Sequence, residues 1–317
     1  MKAYIIRRLL LVPVTLFLIS VVIFGILRAI PGDVVTMMFA EEGAVYDARL
    51  AIELRREFGF ERPIHVQYVD WAVHMLQGDF GESYWYKRPA WDVLKVRIVP
   101  TVEIMVIAMT GGVLFGGFAG ILAAVRRDTL VDYLVRSFAV MGLTMPAFVA
   151  AVLVLIVLIS VFQWTPPARF MYANEDLSAH ISALVWPSLV LAYIMSAGYT
   201  RIVRTQMLEV IREDYVRTAR SKGLPERIVI ARHVLRNAML PVLGLMGVQV
   251  AFLISGSVVT ESVFNIPGLG TGLLDAARNR DYNIVQLFVV IMVLIVMATN
   301  LVVDLLYAWI DPRIKYR

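Results

Sequence analysis

Six stretches of this chain are apolar for long enough, or nearly so, to cross about 30 Å of hydrocarbon as helices. They are residues 9–30, 101–125, 138–162, 183–202, 241–263 and 284–310. Inside a bilayer every backbone N–H and C=O must be satisfied internally, so only helices and closed barrels can span it. The alternating ten-residue strands of a barrel are absent from the sequence. A mean hydropathy of +0.73, with 59% hydrophobic and 17% charged residues, excludes an ordinary soluble domain. The expected fold is an all-α polytopic membrane protein with six transmembrane helices. The fourth run is the weakest, because Pro187, Ser196, Gly198 and Thr200 dilute it.

Charge supplies the topology. Lys2, Arg7 and Arg8 precede the first run, whose apolar part exceeds the core of a secretory signal and is followed by no small-residue cleavage site. It reads as a retained span. Basic residues between spans belong on the cytoplasmic side. Arg126, Arg127 and Arg136 lie between runs two and three, and Arg313, Lys315 and Arg317 form the tail. The outer loop 163–182 holds only Arg169. Both termini are therefore expected in the cytoplasm, and the net charge of +5 needs no nucleic acid. The absence of cysteine removes disulfides and thiol chemistry. His65, His74, His180 and His233 are scattered without metal-ligand spacing, so each is read as interfacial or at the surface and no metal is expected.

Between runs four and five lies the polar segment EDYVRTARSKGLPERIVIARHVLRNAMLP, residues 213–241. It carries Arg217, Arg220, Lys222, Arg227, Arg232 and Arg236, which places it in the cytoplasm. Leu208, Ile211, Tyr215 and Ala219 fall on one helical stripe. Lys222 suits the negative helix end, Gly223 a left-handed cap, and Pro225 the start of a second helix. Ile228, Ala231, Val234, Leu235 and Ala238 make a second stripe. The expected element is helix–Gly–helix with one apolar face, available to be gripped by another protein.

The largest soluble part is 31–97, on the outer face. PGD at 31–33 breaks the first helix, a helical stretch ARLAIELRREFGF follows, and Gly59 ends it. Tyr68, Trp71, Phe80, Tyr84, Trp85, Tyr86 and Trp91 then form either an interfacial aromatic belt or a docking surface. A second outer loop, 264–285, carries NIPGLGTG. A phosphate-cradling loop needs lysine followed by Ser or Thr, and none of the five lysines has one. A tight turn into a short outer helix, 273–278, is expected instead.

Catalytic constellations are missing from the sequence. No His falls inside the six runs, and Asp304 has no acidic partner at its depth. Glu103 and Glu261 lie at span ends, where interfacial placement is usual. The deep polar residues are mild: Thr144, Ser160, Gln249, Ser255, Ser257 and Asn300. They suit helix–helix hydrogen bonds or a weakly polar conduit. The chain shows no energy source of its own.

The cytoplasmic segment resembles the EAA-type loop of binding-protein-dependent ABC importer permeases of the oligopeptide/dipeptide branch. The resemblance rests on DYVRTARSKGL at 214–224 and HVLRNAMLP at 233–241, with IPGD at 30–33, FGFERPIHVQYVDW at 58–71, GDFGES at 78–83 and ESVFNIPGLGTGLLDAARNRDY at 261–282. These blocks cover nearly the whole chain, and the long outer insertion looks like the B-type subunit of the pair. Arg217, Thr218 and Ala219 stand where the general motif has Glu-Ala-Ala, and Gly223 to Pro241 is longer than in sugar permeases.

The resemblance implies a type I ABC importer permease fold, divided into residues 1–30, an extracytoplasmic insertion 31–100, and a core permease domain 101–317 with its coupling loop at 203–240. It implies a homologous second permease as heterodimer partner, two ATP-binding-cassette ATPases and an extracytoplasmic substrate-binding protein. The chain itself would bind no cofactor and catalyse nothing; Mg-ATP would be used by the ATPases. Coupling would fall to Glu213, Tyr215, Arg217, Thr218, Ala219, Arg220, Lys222, Gly223 and Leu224, with Tyr215 and Ala219 as apolar contacts. Thr144, Gln249, Ser255 and Asn300 are candidates for the path. Trp85, Phe264, Pro267, Gly268 and Arg278 are candidates for binding-protein docking. The cargo expected is di- or oligopeptide, while relatives of this branch also carry oligosaccharides, nickel chelates, glutathione or opines. An autonomous channel or carrier would want a charged ring or a midplane ionisable group, and a membrane enzyme a catalytic constellation; a scaffold would leave the gripped element unexplained.

Overall fold

The computed structural model describes residues 2–41 and 48–310; the basic tail Arg313, Lys315 and Arg317 lies outside them. In chain order the elements are α1 (Lys2–Ala29), α2 (Val34–Glu41), α3 (Ala48–Glu57), α4 (Ile64–Leu76), β1 (Glu82–Ser83), β2 (Arg88–Pro89), α5 (Ala90–Val125), α6 (Leu130–Thr144), α7 (Ala147–Phe162), α8 (Leu177–Val210) and α9 (Asp214–Ser221). They continue with α10 (Glu226–Ile228), a π-helical turn (Val229–Val234), α11 (Leu235–Ala238), α12 (Leu240–Val263), α13 (Leu269–Arg278) and α14 (Tyr282–Ile310). The all-α expectation holds except for the antiparallel hairpin of β1 and β2, paired through Glu82–Pro89 and Ser83–Arg88.

Among the described residues, five helices are long and apolar enough to cross a membrane: Arg8–Ala29, Ala90–Val125, Leu177–Val210, Leu240–Val263 and Tyr282–Leu306. The third expected span is not one rod. It is α6 and α7, bent by 110°. The break falls where Pro146 denies the helix an N–H and pushes Met145 out of the helical region, to φ −80° and ψ 120°.

The described residues form two compact units, one within 5–99 and 267–297, the other within 2–4, 100–266 and 298–310. In the second unit α8 is the centre. Gly112, Gly116 and Gly120 of α5 face it at a four-residue spacing. A Cβ on Gly116 would stand 2.5 Å from the Ser196 carbonyl oxygen, and one on Gly120 would stand 2.7 Å from Val203 Cβ. Such small-residue rows let helix backbones approach closely in hydrocarbon, where packing rather than water drives association. The dilution of the fourth run now has its reason: Pro187, Ser196, Gly198 and Thr200 are all buried in α8, against neighbouring helices rather than lipid.

In the unit of 5–99 and 267–297, Asp33 stands at the start of α2. It accepts from the Thr36 backbone N–H at 2.9 Å and from Arg55 Nε of α3 at 2.6 Å. Burial alone would raise the Asp33 carboxyl, but those hydrogen bonds hold it below its usual range. Phe58, Phe60 and Tyr84 pack on Val34, Val35 and Ala51. α13 begins at Leu269, four residues before the expected 273, so GLGTG is partly helical. The reason is packing: a Cβ on Gly272 would lie 2.5 Å from the Phe288 ring.

Candidate functional site

The polar segment 213–241 folds as helix, glycine, helix. α8 ends at Val210, and Glu213, extended at φ −66° and ψ 146°, stands before α9. Asp214 in the first turn suits the positive helix end and pairs with Arg217 at 2.6 Å. Lys222 is the C-cap and Gly223 takes φ +77°. A Cβ there would meet nothing within 4 Å, so glycine is required by the backbone and not by a neighbour. Arg220 then reaches across the turn to Glu226 through hydrogen bonds of 3.1 and 2.8 Å. That pairing raises the guanidinium and lowers the carboxyl from their ordinary values. Asn237 Nδ2 donates to the Tyr215 hydroxyl at 2.8 Å, tying the two arms together.

Two sequence expectations need correction. The stripe Leu208, Ile211, Tyr215 and Ala219 does not run through one helix, because the chain turns at 211–213. The buried face of α9 is Val216 and Ala219, so Ala219 packs inside the chain and offers no apolar contact to a partner. Tyr215, 42% exposed, points outward with Leu224 and Ile228. The second stripe also shifts. Val229, Val234 and Ala238 are buried while Ile228 and Ala231 are exposed. The π-turn uses i to i+5 bonding, so the buried side returns after five residues instead of three or four. Arg217, Thr218 and Lys222 are exposed, with the Thr218 hydroxyl bonded to the Asp214 carbonyl at 2.9 Å.

The four path residues divide between exposed positions and helix–helix contacts. Thr144 and Ser255 are exposed and give their hydroxyls to carbonyls of their own helices. Gln249 lies against Gly198, and Asn300 against Gly247. Both are helix–helix contacts on α12, two residues apart and so on different sides of that helix. Among the docking residues, Arg278 is exposed and Trp85 and Pro267 are half-buried, whereas Phe264 and Gly268 are buried. Phe264 packs beside Trp164, with ring centroids 6.3 Å apart. Its side chain supplies packing, not a surface.

Several polar contacts escaped sequence reasoning. Asp132, wholly buried, takes two 2.7 Å hydrogen bonds from Arg204. The Thr101 hydroxyl donates to buried Glu261 at 2.6 Å. His180 is not at the surface as expected: α8 begins at Leu177, earlier than the apolar run, and buries it with Nε2 3.0 Å from Glu103. Asp281, in the other unit, accepts from the Ser83 hydroxyl and from the Trp85 N–H at 3.2 Å. Burial pushes its carboxyl up, only partly offset by those bonds. Asp132, Arg204, Thr101, His180 and Glu103 belong to no motif, whereas Glu261, Ser83 and Asp281 lie in the family blocks; each pair joins positions far apart in sequence. Among the described residues no group of His, Cys, Asp or Glu could hold a metal ion.

Residues 116–316 match the family described as the binding-protein-dependent transport system inner membrane component, and residues 1–105 match its N-terminal family. The chain is 38% identical over 317 residues, all of both chains, to the glutathione transport system permease protein GsiC of Salmonella typhimurium strain LT2. It is equally similar, 38% over full length, to the protein of that name from Escherichia coli strain K12. Among solved structures, an amino acid ABC transporter crystallised with histidines matches with a TM-score of 0.52. That match has 18% identity and covers 70% of this chain and 94% of that one. At that identity it speaks for the fold alone.

Proposed function

The chain belongs to the family of binding-protein-dependent transport system inner membrane components, and on that footing we propose that it carries short peptides, with glutathione as one such cargo. It is a multi-pass inner membrane protein and a permease subunit of an ATP-binding-cassette importer. It is a non-catalytic component, working with a partner permease, ATPase and substrate-binding protein. The observation that carries the cargo reading is full-length 38% identity to glutathione permeases; glutathione is itself a tripeptide. The branch-specific blocks of the sequence support peptide over sugar.

Coupling is assigned to the α9–Gly223–α10 turn. Its charge network, Asp214–Arg217 and Arg220–Glu226, fixes a small exposed surface around Tyr215, Leu224, Arg217 and Lys222. A rigid knob of this kind suits a socket on each of two ATPases, one on this chain and one on a homologous second permease. ATP and Mg²⁺ would act on those subunits, whose closure would draw the knobs together and open the path outward.

The test is ATP hydrolysis by the reconstituted complex, with its binding protein loaded with glutathione or trialanine, comparing wild type with Gly223→Pro. Proline fixes φ near −65° and so is incompatible with +77°. Stimulation by either ligand that collapses in the variant, with the complex assembled, is the expected result. Stimulation unchanged in the variant would overturn the coupling assignment. Stimulation by nickel chelates or oligosaccharides alone would overturn the peptide reading and leave the permease role.

A further inference from the structure

In the unit of residues 5–99 and 267–297, a cavity of about 230 Å³ opens between α1, α3, α4 and the start of α14. Its wall holds Arg28, near the end of α1. The guanidinium carbon lies 5.2 Å from the Phe24 ring centroid, 4.8 Å from Phe60 and 4.5 Å from Tyr282. Among the described residues no carboxylate comes within ion-pair distance of it; the nearest acid in sequence, Asp33, is committed to Arg55. Arg28 Nε is buried without a hydrogen-bond partner, and so is Oε1 of Gln67, whose Nε2 is held by the Arg62 and Phe60 carbonyls at 2.7 and 3.2 Å.

Ring faces attract a cation but supply no counter-charge, and Arg28 is half-buried with its Nε shielded from solvent. Three aromatic faces therefore shape the site for Arg28 without neutralising it, and the missing component is an anion. The mouth has the opposite character. Glu57, Asp70 and Asp79 are exposed there, against Arg62, which lies 3.5 Å from Asp70, and His74, 3.7 Å from the same carboxylate. Acidic groups outnumber the fixed cation at the rim, while the interior is cationic and aromatic. A bare anion would be repelled on entering. A molecule carrying a carboxylate at one end and an ammonium at the other fits both parts. The volume lies below the roughly 300–1,000 Å³ of drug-sized ligand sites, which limits the occupant to something small.

We infer that this cavity binds a small zwitterionic α-amino carboxylate, a single amino acid or a dipeptide, with its carboxylate toward Arg28 and its ammonium at the Glu57–Asp79 rim. The assignment goes beyond the cargo reading and does not depend on it, since a permease for any solute could carry such an accessory site.

Calorimetric titration of the full transporter in nanodiscs, without its binding protein, tests it. The probes are alanyl-alanine, its C-terminal amide and its N-acetyl derivative. Alanyl-alanine should bind, and each capped analogue should bind at least about tenfold more weakly, the scale of a lost charged hydrogen bond. Arg28→Gln should abolish the discrimination against the amide. Because that change risks the local fold, Glu57→Gln, at an exposed position, provides a second arm: it should weaken alanyl-alanine while leaving the N-acetyl derivative unchanged. Binding that survives both substitutions would place the ligand elsewhere and overturn the inference. Absence of alanyl-alanine binding in phosphatidylglycerol nanodiscs, with the cavity instead protected by phosphatidylethanolamine, would assign it to a lipid headgroup and overturn it equally.

Discussion

Arg204 and Asp132 show what a single pair contributes in this molecule. A carboxylate with no exposure and a guanidinium joined to it by two 2.7 Å bonds tie α6 to α8. Removing one partner leaves the other charge buried. Asp132→Asn should therefore destabilise the purified protein by about 3–5 kcal/mol, and a thermal melt in detergent reads it. Asp281 behaves differently. Its folded pKa is raised by burial above the unfolded value of about 3.9. Between the two values the folded chain binds more protons than the unfolded one, so stability falls as pH rises through that window and the loss is complete above it. Melting temperature should decline with pH in wild type and not in Asp281→Asn, once the shared background slope is subtracted. Neither pairing carried a sequence signal: Asp132 stands in the first turn of α6 with its partner 72 positions away, and Asp281, though inside a family block, meets Ser83 198 positions away.

At the level of elements, local chemistry was legible where it is local. Gly223, Lys222 and Pro225 announced the turn after α9, and PGD at 31–33 the end of α1, because caps and prolines act within a few residues. Elements set by neighbours were not. The break at Pro146 was overlooked inside a run hydrophobic enough to read as one span. The π-turn at 229–234 displaced the buried face from a stripe that assumed 3.6 residues per turn. The row Gly112, Gly116 and Gly120 went unread although its spacing was visible, since only the structure says which helix it faces. Gly116→Val puts side-chain atoms into the α8 backbone, 2.5 Å from the Ser196 oxygen. It should cost about 1–3 kcal/mol, whereas Gly117→Val, with nothing within 4 Å, should melt close to wild type.

For the whole molecule, the family blocks and apolar runs foretold a permease, while the surface a partner could reach needed coordinates. Tyr215 is exposed and Ala219 is not, so the two differ in what their loss should do. Tyr215→Ala should lower ligand-stimulated ATP hydrolysis roughly tenfold, on the scale of a lost interface anchor, with only the small melting shift of one lost exposed hydrogen bond, that from Asn237. An equal loss of both would make Tyr215 a folding residue. The sequence by itself determined that the chain lives in a membrane, that its polar arm turns at Gly223, and to which branch of permeases it belongs. Hydropathy, caps and motif order are properties of short windows and survive without a third dimension. The tertiary structure alone decided which polar residues meet, which apolar side chains are already occupied, and where Arg28 stands beside a cavity whose carboxylates lie at the rim, Glu57, Asp70 and Asp79. Those depend on contacts between residues tens to hundreds of positions apart, and on burial that only packing creates.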